Sequence, residues 1–297
     1  VESTQLNAEV HRFRRLLGKR STREYQQPAQ ALHSWLVAPY QELLDRENIH
    51  TLVFVPGGAL RTVPMAALHD GQGFLLDRYA VAITPSLNLL APKPIVKGKT
   101  RVLAAGLSEA VQGYPELPGV PEELSTIERL YGGKVLLNEG FELESFETSL
   151  RNMHPGVVHI ASHAEFTGNP RTSFVLTYDD RISIEQLSAL MRAGRYGEEP
   201  VELLMLSACD TAVGNERAAL GLAGMAVRAG ARSAMGSLWS VSDEATSELV
   251  VGFYEALDTP GTSKAQALRK AQQSLLVDAR FQHPYYWAPF LVINNWL

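Results

Sequence analysis

The chain has 297 residues and a formal net charge of −5; its pI near 5.9 argues against nucleic acid as the main partner. Hydrophobic residues at 45% and charged residues at 20% exclude wholesale disorder. A single cysteine excludes an internal disulfide and a multi-thiolate zinc site, and no apolar run reaches membrane-spanning length.

No charged-then-apolar signal segment opens the chain, which with the lone thiol predicts a reducing, cytoplasmic setting. The first residue, Val1, is what a piece of a longer polypeptide would show. In residues 1–25, Leu6, Val10, Phe13, Leu16 and Leu17 recur at helical spacing. That predicts a basic amphipathic helix docking on an upstream module. A second helical pattern from Ala29 to Glu47 is expected to kink or divide at Pro39.

HTLVFVP is a short strand closed by Pro56-Gly57-Gly58, and YAVAITPS (79–86) and RVLAAGLS (101–108) are the next two strands. The loop after Ala110 leads into a helix from Val120 to Tyr131, whose Glu122 and Glu123 suit the positive end of a helix dipole. KVLLNEG reads as strand and FELESFETSLRNM as helix. Strands follow at 157–162, 174–180 and 201–208, with a helix in ISIEQLSALMRAG before the last. A small-residue helix at 219–231, a strand at 233–239, helices at 243–257 and 263–277 and the strand FLVINNW complete the pattern. Strands alternating with helices predict an α/β fold with a mostly parallel sheet covered on both faces. Either the stretch 91–119 or the region 132–141 is expected to separate two α/β halves.

Two strand ends carry chemistry. VVHIASH delivers His163, and LLMLSACDT delivers Cys209. The carboxyl ends of neighbouring parallel strands form the crevice where α/β proteins bind ligands. A thiol becomes nucleophilic once an imidazole takes its proton, so the two form a candidate nucleophile and base. A buried structural cysteine and a satisfied strand-end histidine are the plain alternatives. His159 and His163 have the spacing of a helical metal pair, but the β-branched run favours strand and no third ligand is evident. His159 is thus expected in the core. Ser162 lacks the G-x-S-x-G elbow of a serine hydrolase. PGGALR lacks the ending of a phosphate loop, and Asp179 and Asp180 read as turn residues.

Several ordered motifs resemble the CHAT domain, a caspase-like peptidase domain often fused to TPR repeats. They are HIASH, LSACDTA, AGARSAMGSLWSVSD and HPYYWAPFLV, with ALHSWLVAPYQELL, TLVFVPGGALRTVPMAALHDG and YAVAITPSLNLL in the amino-terminal part. The resemblance covers residues 29–297. It implies a caspase-like fold shared with separase and gingipain, with an amino-terminal pseudo-peptidase half at 29–140 and a catalytic half at 141–297. Residues 1–28 would be a helical lead-in, the end of an upstream TPR array.

The same resemblance implies a cysteine endopeptidase with a His163–Cys209 dyad, no cofactor and no metal, and a bacterial source. The oxyanion would face the backbone N–H groups of Ala164 and Cys209. Ala164 departs from the family, which commonly has glycine there, and its methyl disfavours a positive φ. By likeness to separases, Asp243 would bind a basic residue before the cleaved bond, with Trp239 as a pocket wall and Asp210 as a second candidate. Capping the helix at 243–257 is the alternative role for Asp243. Segment 210–219 would be a loop beside the site. The partners implied are a protein substrate and a TPR or other regulatory module, with neither nucleic acid nor membrane. The competing function is a catalytically silent caspase-like scaffold or interaction module; an esterase or acyl-transfer enzyme lacks a third triad member.

Overall fold

The structure is a computed structural model that describes residues 1–85, 95, 100–167, 169, 171–193, 200–207, 210–211 and 231–297. The predicted helix at 219–231 lies outside the described residues apart from Ala231, and so does most of the loop at 210–219.

The chain opens with α1 (Ser3–Leu17) and α2 (Gln26–Leu36). A 3-10 turn at Ala38–Tyr40 then separates α2 from α3 (Gln41–Arg46), so the second helical pattern divides at Pro39 as proline's missing N–H requires. The apolar stripe of α1 does not wait for an upstream module. Val10, Phe13, Leu16 and Leu17 are buried, and α1 packs on α2 and on the 3-10 turn Gly58–Thr62 of this same chain. Burying each such side chain contributes roughly 1.5–3 kcal/mol. That corrects the docking role expected for this face.

β1 (Thr51–Phe54), a short α4 (Leu75–Arg78), β2 (Ala80–Ile83) and β3 (Val102–Gly106) follow. Next come α5 (Val120–Tyr131), β4 (Lys134–Leu137), α6 (Leu143–Met153) and β5 (Val157–Ala161). Short strands β6 (Ala164–Phe166), β7 (Phe174–Leu176) and β8 (Arg181–Ser183) precede α7 (Ile184–Ala193). β9 (Leu203–Leu206), β10 (Asp210–Thr211) and β11 (Ser233–Ser237) lead to α8 (Asp243–Leu257). α9 (Lys264–Val277), α10 (Pro284–Trp287) and β12 (Phe290–Asn294) finish the chain.

Eight strands form one sheet in the order β1-β2-β12-β11-β9-β5-β3-β4. Every neighbouring pair is parallel except β11 with β12. The strands of residues 29–140 therefore lie at both edges of the sheet, and those of 141–297 fill its middle. β5 and β9 are buried throughout, which is why they read as unbroken apolar runs. The antiparallel step reverses direction, so β3, β4, β5, β9 and β11 all present their carboxyl ends at one rim. A second sheet, β10-β6-β7-β8, sits beside that rim. Of its strands only β7 falls in a predicted one, the run 174–180, which ends early at Leu176; β6, β8 and β10 are too short for hydrophobic periodicity to announce them.

Candidate active site

His163 leaves the end of β5 at this rim and is half-buried. Its Nε2 lies 2.8 Å from the carbonyl oxygen of Pro115, and its ring packs on Tyr114 with centroids 5.0 Å apart. With Nε2–H donating to that carbonyl, Nδ1 is the ring nitrogen left to act as a base. The loop carrying Pro115 is pinned in several places. Leu107 N–H donates to Ala161 O, Ser108 N–H to Asn138 Oδ1, Leu117 N–H to Ser108 O, and Gln112 Nε2 to Thr177 O. Nothing near His163 in sequence signals this partner.

Ser162, buried beside His163, donates to Leu176 O at 2.7 Å, which suits a structural hydroxyl. Ala164 opens β6, and its φ is not positive, so its methyl brings no backbone strain. Cys209 and the side chain of Asp210 lie outside the described residues. The backbone on either side is described: Ser207 follows β9, and β10 pairs in parallel with β6, with Asp210 opposite Glu165 and Thr211 opposite Phe166.

A cavity of about 260 Å³ opens beside His163. Ser207, Ser237, Ser240 and Val241 line it, along with Asp243 and Glu123. Asp243 occupies the first turn of α8 behind the N-cap residue Ser242. Its Oδ2 accepts from the N–H of Gly119 at 2.5 Å, so it caps the start of α5 rather than its own helix. Ser247 Oγ donates to Gly119 O at 3.0 Å and tightens the same junction. Glycine is required there because a Cβ on residue 119 would come within 2.8 Å of both Asp243 Oδ2 and Ser247 Cβ. Burial raises the Asp243 carboxyl above its ordinary range. The Gly119 N–H opposes that rise, Glu123 adds to it and His163 opposes it.

Trp239 is not among the lining residues of this cavity. Its indole Nε1 donates to Tyr285 O, Tyr285 OH donates to Ser240 O at 2.9 Å, and the Arg14 guanidinium sits 4.5 Å above the indole. Trp239 thus anchors the Ser240–Val241 segment from outside. Arg14 also donates to Thr62 O, and burial lowers its guanidinium to about 10, so it stays charged at neutral pH.

His159 is fully buried in β5, as expected of a core residue, but its partners are distant in sequence. Its Nε2 lies 2.7 Å from Glu123 Oε1, and Tyr254 OH lies 3.3 Å from its Nδ1. Among the described residues no group of His, Cys, Asp and Glu is arranged to hold a metal ion. Asp179 accepts from Thr177 Oγ1 and from Leu143 N–H, in keeping with a turn residue. No described helix is long and apolar enough to cross a membrane.

The mostly parallel sheet between helices is a caspase-like α/β fold, with His163 at the end of one of its central strands. Solved structures of other proteins share the fold. The RgpB pro- and mature domain complex of Porphyromonas gingivalis matches with a TM-score of 0.57 at 7% identity, over 95% of this chain and 71% of that one. Separase in the Saccharomyces cerevisiae separase–securin complex matches with a TM-score of 0.53 at 14% identity, over 88% of this chain and 17% of that one. Residues 26–295 match the CHAT domain, and the chain belongs to that family. A curated relative, tetratricopeptide repeat protein 28 of Mus musculus, is 25% identical over 90% of this chain. The chain spans 13% of that protein's length.

Proposed function

We propose that this chain is a cysteine endopeptidase that cleaves a specific protein after a basic residue, with His163 and Cys209 as its dyad. The observation that carries the reading is the cavity at the strand ends, where His163 and Asp243 face the same space and Ser207 lies two residues before Cys209. The pairing of Asp210 with Glu165 brings the chain just after Cys209 beside the chain just after His163.

His163 Nδ1 takes the thiol proton, and the Cys209 sulfur attacks the scissile carbonyl carbon. The carbonyl oxygen gathers negative charge, which the N–H groups of Ala164 and Cys209 would receive; such donors are worth on the order of 10²–10³ in rate. The C–N bond breaks, the amine leaves with the proton from His163, and a thioester remains. Water, deprotonated by His163, then releases the acid and restores the thiol. The balance is one peptide bond and one water consumed. Pro115 O serves by holding the ring in the tautomer that leaves Nδ1 free.

Asp243 takes the basic side chain by a charge-assisted contact, and Trp239 acts as an outer brace of that pocket. Asp210 remains a second candidate for it. Residues 141–297 carry the chemistry and 29–140 the supporting half. The name of the curated relative and the small share of it this chain spans support control by a TPR or other upstream module. A cytoplasmic, bacterial setting belongs to the same proposal.

The test is a fluorogenic peptide library varied at the residue before the scissile bond. Cleavage after Arg or Lys, abolished in Cys209→Ala and lost or redirected in Asp243→Ala, is expected. Cleavage after acidic residues would overturn the pocket assignment. No cleavage, with Cys209 labelled by iodoacetamide no faster than a free thiol near pH 6, would favour the silent scaffold.

A further inference from the structure

Glu123 is the feature of this cavity that the mechanism leaves unused. It lies in the first turn of α5, where an exposed carboxylate would complement the helix dipole, yet it is only 2% exposed and lines the cavity with Asp243. A carboxylate taken out of water needs a partner. Its one close partner among the described residues is His159, whose Nε2 lies 2.7 Å from Oε1 in a fully buried pair, and neither of these two atoms makes a regular hydrogen bond. His159 is braced from its other ring nitrogen by Tyr254, so the pair is held in place and leaves the rest of the Glu123 carboxylate to the cavity.

The charge count points the same way. Two carboxylates face one cavity whose described lining contains no lysine and no arginine. Each comes from the first turn of a different helix, α5 and α8, which pack together at the Gly119 junction. Their mutual repulsion contributes to the raised Asp243 carboxyl. A bound cation would relieve both at once.

We infer that Glu123 is a second specificity-determining carboxylate of this pocket, and that it selects a guanidinium over an ammonium. The inference rests on reading the cavity as the pocket for the residue before the scissile bond. A guanidinium presents five N–H donors in a planar fork, so separate edges can meet separate carboxylates. An ammonium is a compact point charge that satisfies one carboxylate and leaves the other buried and unpaired. A site built for the larger donor set discriminates against a ligand that fills only part of it.

The test compares kcat/KM for two peptides differing only in Arg or Lys before the scissile bond, on wild type and Glu123→Gln. Wild type is expected to prefer Arg by about tenfold or more, and Glu123→Gln to bring the ratio towards one. An unchanged ratio in Glu123→Gln would overturn the inference. Calorimetric titration with agmatine and cadaverine separates this question from turnover. If no peptide is cleaved but agmatine binds more tightly than cadaverine, and loses that advantage in Glu123→Gln, the peptidase reading fails and the pocket inference stands. If wild type binds the two amines equally, or neither, the inference fails. Should Glu123→Gln melt below the assay temperature, that wild-type comparison alone decides.

Discussion

Nε2 of His163 and the carbonyl oxygen of Pro115 stand 2.8 Å apart across 48 residues of chain. The contact joins the end of β5 to a loop that the sheet, Asn138 and Gln112 all help to pin. A backbone carbonyl cannot be replaced by mutation, but the Tyr114 ring packed against His163 can. Tyr114→Ala removes an aromatic contact worth about 0.5–1.5 kcal/mol and frees the imidazole to turn. We expect kcat/KM to fall about three- to tenfold, mostly in kcat, with little change in melting temperature. A change confined to KM would contradict the positioning role.

Gly119 tests the junction behind the pocket. A methyl there meets Asp243 and Ser247 at 2.8 Å, closer than packed atoms tolerate. Gly119→Ala is expected to cost about 1–3 kcal/mol in denaturant unfolding. A neutral result would mean that α5 and α8 can separate without penalty.

Arg14 over Trp239 ties α1 to the segment that borders the cavity. Arg14→Ala loses a cation–π contact and the bond to Thr62 O, together about 1–3 kcal/mol. Thermal unfolding measures it, and a melting temperature equal to wild type would show that α1 contributes nothing to holding this face.

Asp243 gives a pH dependence with a definite sign. Its folded carboxyl lies above the unfolded value of 3.8, so ionisation is disfavoured in the native state. The stability it contributes is full below pH 3.8 and is lost as pH rises through the raised folded value. Wild type should therefore lose stability relative to Asp243→Asn on moving upward through that window, while affinity for agmatine rises over the same range. A difference that moves the other way would contradict the burial argument.

Lys264, at the opposite end of the strands, gives the reverse window. Burial lowers its ammonium to about 8; Glu202 opposes the shift and Arg232 adds to it. The burial cost is present in full below pH 8 and is relieved as pH rises to the unfolded value of 10.5. Between those limits wild type should gain stability relative to Lys264→Met, as read by urea unfolding. A flat difference would mean that the amine stays charged in the fold.

The strands and long helices were legible in the sequence because they bury regular apolar patterns. The α8 boundaries at Asp243 and Leu257 coincide with those read from the chain, and Pro39 divides the second helical pattern as expected. β6, β8 and β10 were not legible, being too short to repeat a period. His163 and Asp243 stood out by residue type and motif, and both line the cavity. Pro115, Gly119 and Glu123 did not, because each acts through a partner brought near only by the packing of α5 on β3 and α8. Glu123 in particular looked like an ordinary first-turn carboxylate until its burial was seen. Trp239 reads as a pocket wall from its motif, whereas its buried ring packs under Arg14 and does not line the cavity.

The most direct measurement is covalent labelling with an arginyl acyloxymethyl ketone, read by intact mass and peptide mapping. The account predicts one adduct per chain, located on Cys209, slowed at least about a hundredfold in His163→Ala and suppressed by agmatine. Labelling that is equally fast in His163→Ala, or that agmatine does not suppress, would contradict the account.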